Sequence, residues 1–206
     1  MTLLKGINPK DIKRNDPLHE YAVDWDDITH EQVLDFEKHL SSAKTENDIH
    51  SFLIKNPLLL TQHLGGGHGR WVIPKQRLGA EFVTDFVIGQ KNSIGFEWQA
   101  VELESPKADM FTKSGKPSGM LVQAIKQIQD WRAWLQRNQD YASRDRQKNG
   151  LGLTDITANI PGLILIGRRN RNSESTNDLR RQMVSDLNIE IHSFDFLLDV
   201  IRSRLN

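Results

Sequence analysis

The apolar and polar positions predict helices first, then a run of strands, then the two in alternation. Thr29 followed by Gln32 makes a capping box, and Val33, Phe36 and Leu40 then recur at helical spacing to about Ala43. A second capped helix is predicted from near Thr45, with Ile49, Phe52 and Leu53 on its apolar face and Asn56-Pro57 at its end. The Gly-rich run from Leu64 to Arg70 reads as a turn, because no Gly-Lys-Ser/Thr follows to make a phosphate loop. Trp71 to Gln76 is a short strand, and Pro74 places it at a sheet edge. Phe82 to Gly89 is a more regular strand carrying Asp85, and a turn follows over 90–95. Trp98 to Leu103 forms the next strand, stopped by Ser105-Pro106.

A polar connection leads to Ser118, which is placed to cap the best helix in the chain. Met120, Leu121, Ala124, Ile125, Ile128, Trp131 and Leu135 make its apolar stripe, while Lys126, Asp130 and Arg137 face water. Gln127 falls on the buried side, one turn from Ala124 and Trp131. Residues 138–155 read as a polar loop. Pro161 to Gly167 is a continuous apolar run, the mark of a central strand buried on both faces. A helix from about Glu174 to Leu187, a strand from Ile189 to His192 and a helix from Asp195 to Leu205 close the chain. The order predicts an α/β fold with a mixed central β-sheet flanked by helices. Residues 1–28 are expected to form an irregular N-terminal arm packed through Tyr21, Val23 and Trp25, and residues 29–206 a single domain.

Composition narrows the function more than the fold. The 27 basic and 27 acidic residues cancel, so any nucleic-acid binding must come from a local patch. With no cysteine, disulfides, thiolate metal sites and cysteine catalysis are excluded. His63 and His68 flank the glycine run without a zinc-site spacing. No window approaches the roughly 18 apolar residues of a membrane span, and the first residues lack a signal-peptide core. A cytoplasmic protein without membrane contact is expected.

The anomaly is acidic. Strand alternation puts Phe96, Trp98, Ala100, Glu102 and Glu104 on one face, so two carboxylates lie roughly 7 Å apart at the end of a buried segment. Like charges in such a place need a cation or a proton. Asp85 lies on the preceding strand, and a hairpin relation between the strands brings it near Glu102. Carboxylates converging from adjacent strands offer hard oxygen ligands to Mg²⁺ or Mn²⁺. The ordinary alternative is a set of strand-end acids paired with Arg or Lys. Arg168, Arg169 and Arg171 form a dense basic cluster, and Arg70, Lys75 and Arg77 a looser one. Each is either a phosphate-contacting surface or a solvated basic loop.

An Asp on one strand, Glu-x-(usually Lys) on the next and a helix with an inward Gln resembles the PD-(D/E)xK nuclease superfamily. More closely, the segment from Asn47 to Leu198 resembles the Shedu-type domain of bacterial anti-phage defence proteins. The residues that carry the likeness are Phe52-Leu53 with Asn56-Pro57-Leu58-Leu59, Gly79 with Asp85-Phe86-Val87-Ile88-Gly89, and Val101-Glu102-Leu103-Glu104-Ser105-Pro106. Gln123-Ala124, Gln127-Ile128, Trp131-Arg132, Gly167-Arg168 and Phe194-Asp195-Phe196-Leu197-Leu198 continue it. The resemblance implies a restriction-endonuclease-like core cutting DNA with Mg²⁺ or Mn²⁺. It implies that Asp85 and Glu102 hold the metal with the Leu103 carbonyl, and that Gln127, less so Gln123, orients the centre. Homo-oligomers, and a sensor or regulatory partner, go with it. The superfamily's Lys is Glu104 here. Glu104 could recruit a second cation, Lys107 or Lys126 could reach in, or the fold could survive only as a binding or oligomerising module.

Overall fold

A computed structural model describes residues 18–24, 28–65, 67–171 and 176–205. Helix α1 (His30–Ser42) starts at the expected capping box: Thr29 Oγ1 accepts the Gln32 amide at 3.2 Å, and Gln32 Oε1 accepts the Thr29 amide at 2.9 Å. At the start of helix α2 (Glu46–Lys55), Asp48 accepts the Lys44 and Thr45 amides. A 3-10 turn over Pro57–Thr61 follows, then strand β1 (Arg70–Pro74).

The expected strand from Phe82 to Gly89 is broken in two. Its first residues, β3 (Phe82–Val83), pair with β2 (Arg77–Leu78) in a small separate hairpin. Thr84 and Asp85 lie outside any strand, and β4 (Phe86–Asn92) then enters the main sheet. Asp85 therefore sits at the mouth of β4 and not within it. Strand β5 (Gly95–Leu103) pairs antiparallel to β4, with Phe86 opposite Val101.

Ser118 caps α3 (Gly119–Ser143) through the Leu121 amide. This helix runs on through the first part of the expected 138–155 loop. It bends at Asn138, whose φ/ψ leave the helical region, and continues because Ala142 is buried in the core. Strands β6 (Gly162–Leu165) and β7 (Ile189–His192) flank α4 (Asn177–Leu187), and α5 (Asp195–Ser203) ends the described chain.

The main sheet has the order β1-β4-β5-β6-β7, antiparallel in its first half and parallel in its second. It is a mixed five-stranded sheet with helices on both faces. Pro74 closes the edge strand β1, as a residue without an N–H must. β6 is buried along its whole length, Leu163 and Leu165 facing one core and Ile164 the other. α3 packs on the first of the two faces with Trp71, Trp98, Ala100 and Ile164. α1, α2 and α5 pack on the second with Val72, Phe86, Val101 and Leu103. Fully burying each such aliphatic or aromatic side chain stabilises by about 1.5–3 kcal/mol. Two closed cores thus fix the carboxyl end of β5 between them. Leu18 and Val23 of the arm are buried, and the Val23 amide donates to the Arg70 carbonyl at the sheet edge; Trp25 lies outside the described residues.

Candidate active site

The ladder between β4 and β5 ends with Phe86 opposite Val101, so the next pair outward is Asp85 and Glu102. Asp85 is only 5% exposed and is held from several sides. Its Oδ2 accepts the Leu103 amide at 2.9 Å, and its Oδ1 lies 2.6 Å from Lys75 Nζ and 3.9 Å from His50 Nε2. The carbonyl of Leu103 leaves the strand on the same side as its amide, toward Asp85.

Glu102 and Glu104 are 5% and 7% exposed. Among the described residues neither carboxylate has a hydrogen bond or an ion pair, although buried polar groups ordinarily find partners. Burial first, then the charges of Asp85, Glu104 and Glu46, push the Glu102 carboxyl up to about 9. Burial, then Glu46 and Asp85, push Glu104 up to about 7. At neutral pH the ion-free protein therefore keeps a proton on Glu102.

The helix α2 adds two residues that the strand pattern does not show. Glu46 opens it, its carboxyl raised by burial and Asp85 against the opposing pull of Lys75. His50, one turn on, is 5% exposed and packs on Phe86 at 4.8 Å, its Nε2 without a hydrogen bond. Burial and then Lys75 lower its basicity against the opposing pull of Asp85. The one available signal was the spacing: Glu46 and His50 share the face of α2 that carries Leu53. The site is thus four carboxylates, one ammonium and one imidazole, brought together by β1, β4, β5 and α2.

This donor set suits a hard divalent cation: the oxygens are carboxylate and two members are unpartnered. Among the described residues, no three His, Asp or Glu side chains converge into a ready-made ion cage. An Mg²⁺ held by one or two carboxylates and completed by water asks for no such cage.

The other predicted residues divide. Gln127 is half-buried on α3 and, among the described residues, makes no hydrogen bond to the acids; Gln123 is exposed. Lys107 is exposed, and Lys126 pairs with Asp130 on the outer side of α3. Arg70 is not a surface phosphate contact. It is 3% exposed and donates to the Thr61 and Leu64 carbonyls, both at 2.6 Å, because the glycine turn leaves those carbonyls needing donors inside the fold. Lys75 belongs with the acids and not with Arg70. Arg168 grips Asp195 with two nitrogens at 2.9–3.2 Å, which ties the end of β6 to the start of α5. Arg169 pairs with Asp199 and Arg171 with Asp109, yet both side chains stay largely exposed.

A cavity of about 770 Å³ lies by the connection that follows Glu104, at the first turn of α3. Asp109, Thr112, Lys113, Ser118, Gln123 and Arg171 line it; the acids do not. No described helix is long and apolar enough to cross a membrane.

Comparison with protein families adds one finding. The family described as Shedu protein SduA, C-terminal, matches residues 43–198, more than half of the chain, from the end of α1 into α5. No curated protein matches it.

Proposed function

Since the chain belongs to the Shedu SduA C-terminal family, which is associated with anti-phage defence, we propose that it is a metal-dependent DNA endonuclease with a restriction-endonuclease-like, PD-(D/E)xK-type centre. The observation that carries the proposal is the pair of buried, unpartnered carboxylates, Glu102 and Glu104, beside Asp85. Asp85, Glu102 and the Leu103 carbonyl would hold Mg²⁺ or Mn²⁺, with Glu104 at the rim. When bound, such an ion polarises a phosphoryl oxygen and makes water more acidic.

The chain's own groups have separable tasks. The Leu103 amide orients Asp85 through Oδ2, and Oδ1, which faces Lys75, is the oxygen that a metal ion would share with that ammonium. Glu104, which burial pushes up to about 7 in the ion-free protein, would be the group that accepts a proton from the attacking water. The buried walls of α2 and β5 keep bulk water from the carboxylates, which strengthens every charge interaction between them. Lys113 and Arg171, which line the α3 cavity, and the exposed Arg169 would contact phosphates, a local attraction that the balanced net charge requires. Cutting both strands takes two centres, so a homo-oligomer is part of the proposal, as is a sensor or regulatory partner.

A second reading keeps the fold as a DNA-binding or oligomerising module. It is favoured by one observation: no ready-made ion cage stands among the described residues. Plasmid and linear duplex incubated with Mg²⁺, Mn²⁺ or EDTA separate the two. Metal-dependent nicking or linearisation supports the nuclease, and DNA binding with no cutting under any ion supports the module.

A further inference from the structure

Resting on the nuclease reading, we propose that Lys75 is the catalytic cation of this site, reaching the acids from the end of β1 while Glu104 occupies the usual lysine position on β5. Three observations carry it. Lys75 Nζ lies 2.6 Å from Asp85 Oδ1, and among the described residues it is the one lysine or arginine paired with a member of the cluster. Of the lysines anticipated from the sequence, Lys107 makes no ion pair among the described residues and Lys126 pairs with Asp130.

The second observation is the backbone. Lys75 has φ +47, a left-handed conformation that a lysine rarely adopts. Yet it is not a frayed end. Its amide donates to the Asp85 carbonyl at 2.8 Å, and the Thr84 amide donates to the Gln76 carbonyl at 3.0 Å. The ladder thus runs past Pro74 on both sides of Lys75 and fixes the unfavourable conformation beside Asp85. Backbone held away from its preferred regions by surrounding bonds is characteristic of functional sites.

The third is exposure. Asp85 is buried, but the Lys75 side chain is 48% exposed, so its ammonium stands at the boundary between the acids and solvent. A phosphodiester arriving from solvent meets this ammonium on its way to the carboxylates. Lys75 then donates hydrogen bonds to a non-bridging phosphate oxygen. The water oxygen bonds to phosphorus, the bond to the leaving ester oxygen breaks, the water proton passes to Glu104, and solvent protonates the leaving oxygen. The ammonium offsets the charge that grows on the phosphoryl oxygens.

The test uses the full chain as wild type, Lys75→Met and Lys75→Arg. Three quantities are read: the cleavage rate at saturating DNA and Mn²⁺, the DNA dissociation constant, and Mn²⁺ affinity by calorimetry without DNA. Lys75→Met is expected to slow cleavage about 100-fold or more, the scale of losing one charge-stabilising donor. DNA affinity stays within about 3-fold, since one phosphate contact among several is lost. Mn²⁺ binds at least as tightly as in wild type, because the ammonium no longer competes for Asp85. Lys75→Arg keeps part of the rate. If wild type cuts and Lys75→Met cuts equally fast, the role of Lys75 is overturned and the nuclease reading stands. Loss of Mn²⁺ binding together with cleavage in Lys75→Met makes Lys75 a structural support and also overturns it. If wild type itself never cuts, both fall together.

Discussion

Leu103 donates its amide to Asp85 Oδ2 at 2.9 Å, one step beyond the last paired residues of β4 and β5. This bond converts the end of a hairpin into a fixed acid. Asp85→Ala leaves the Leu103 amide and the Lys75 ammonium without their partner. It is expected to cost about 1–3 kcal/mol, read by urea denaturation. Asp85→Asn, which can keep an acceptor for the amide, is expected to cost less.

Glu102 gives the ion-free protein an unusual pH dependence. Its folded value of about 9 lies above the ordinary carboxylate value of 4.5, so the folded state binds the proton more tightly than the unfolded chain. The raised carboxyl therefore costs nothing below about pH 4.5. Stability should fall as pH rises from there through about 9. Denaturation in EDTA at pH 5, 7 and 9 should show the decline for wild type and a flatter profile for Glu102→Gln. Saturating Mn²⁺ should reverse the decline, because a cation favours the ionised carboxylate.

Two arginines that look alike in the sequence should behave oppositely. Arg70 sits inside the fold on the Thr61 and Leu64 carbonyls, and Arg70→Met is expected to destabilise by about 2–4 kcal/mol by leaving buried acceptors unmet. Its effect on the salt dependence of DNA binding should be nil. Arg171→Ala should leave the melting temperature nearly unchanged, since its pair with Asp109 is exposed. It should lower the slope of log K against log salt by about one.

Gly167 turns the chain at the end of β6 with φ +67, and a methyl there would meet the Ala108 carbonyl oxygen at 2.3 Å. Gly167 and Ala108 belong to the two connections that leave the sheet beside Glu104, and the Gly167 amide donates to the Ser105 carbonyl. Gly167→Ala is expected to destabilise by about 1–3 kcal/mol through left-handed strain and this clash. Cleavage should fall further than the lost stability explains, because Ser105 follows Glu104 directly.

These cases show what one-dimensional pattern can carry. The neighbourhood of Asp85 and Glu102 was legible, since two strands joined by a short turn must pair. The Thr29 capping box, the edge position of Pro74 and the two-sided burial of β6 were legible for the same reason: each is a rule about near neighbours. The break at Thr84 and Asp85 was not, because residues 82–89 have one continuous strand composition and only a separate pairing with Arg77-Leu78 divides them. Glu46 and His50 were missed because a helix face does not announce which sheet end it will cover. Arg70 and Lys75 were grouped by charge, whereas burial against carbonyls and an ion pair with Asp85 separate them. Gln127 followed from the helix stripe, but a half-buried side chain without a bond to the acids is not yet a functional one.

The central claim is that Glu102 and its neighbours cut DNA with a divalent ion. The most direct measurement is the rate of plasmid cleavage by wild type and Glu102→Gln across one Mn²⁺ titration, with DNA binding followed alongside. Wild-type cleavage is predicted to saturate with Mn²⁺ and vanish in EDTA. Glu102→Gln should be slower by about 100-fold or more at unchanged DNA affinity, since a charge-stabilising group at the reacting centre is lost. Equal cleavage by the two proteins, or cleavage by wild type that survives EDTA, would contradict the account.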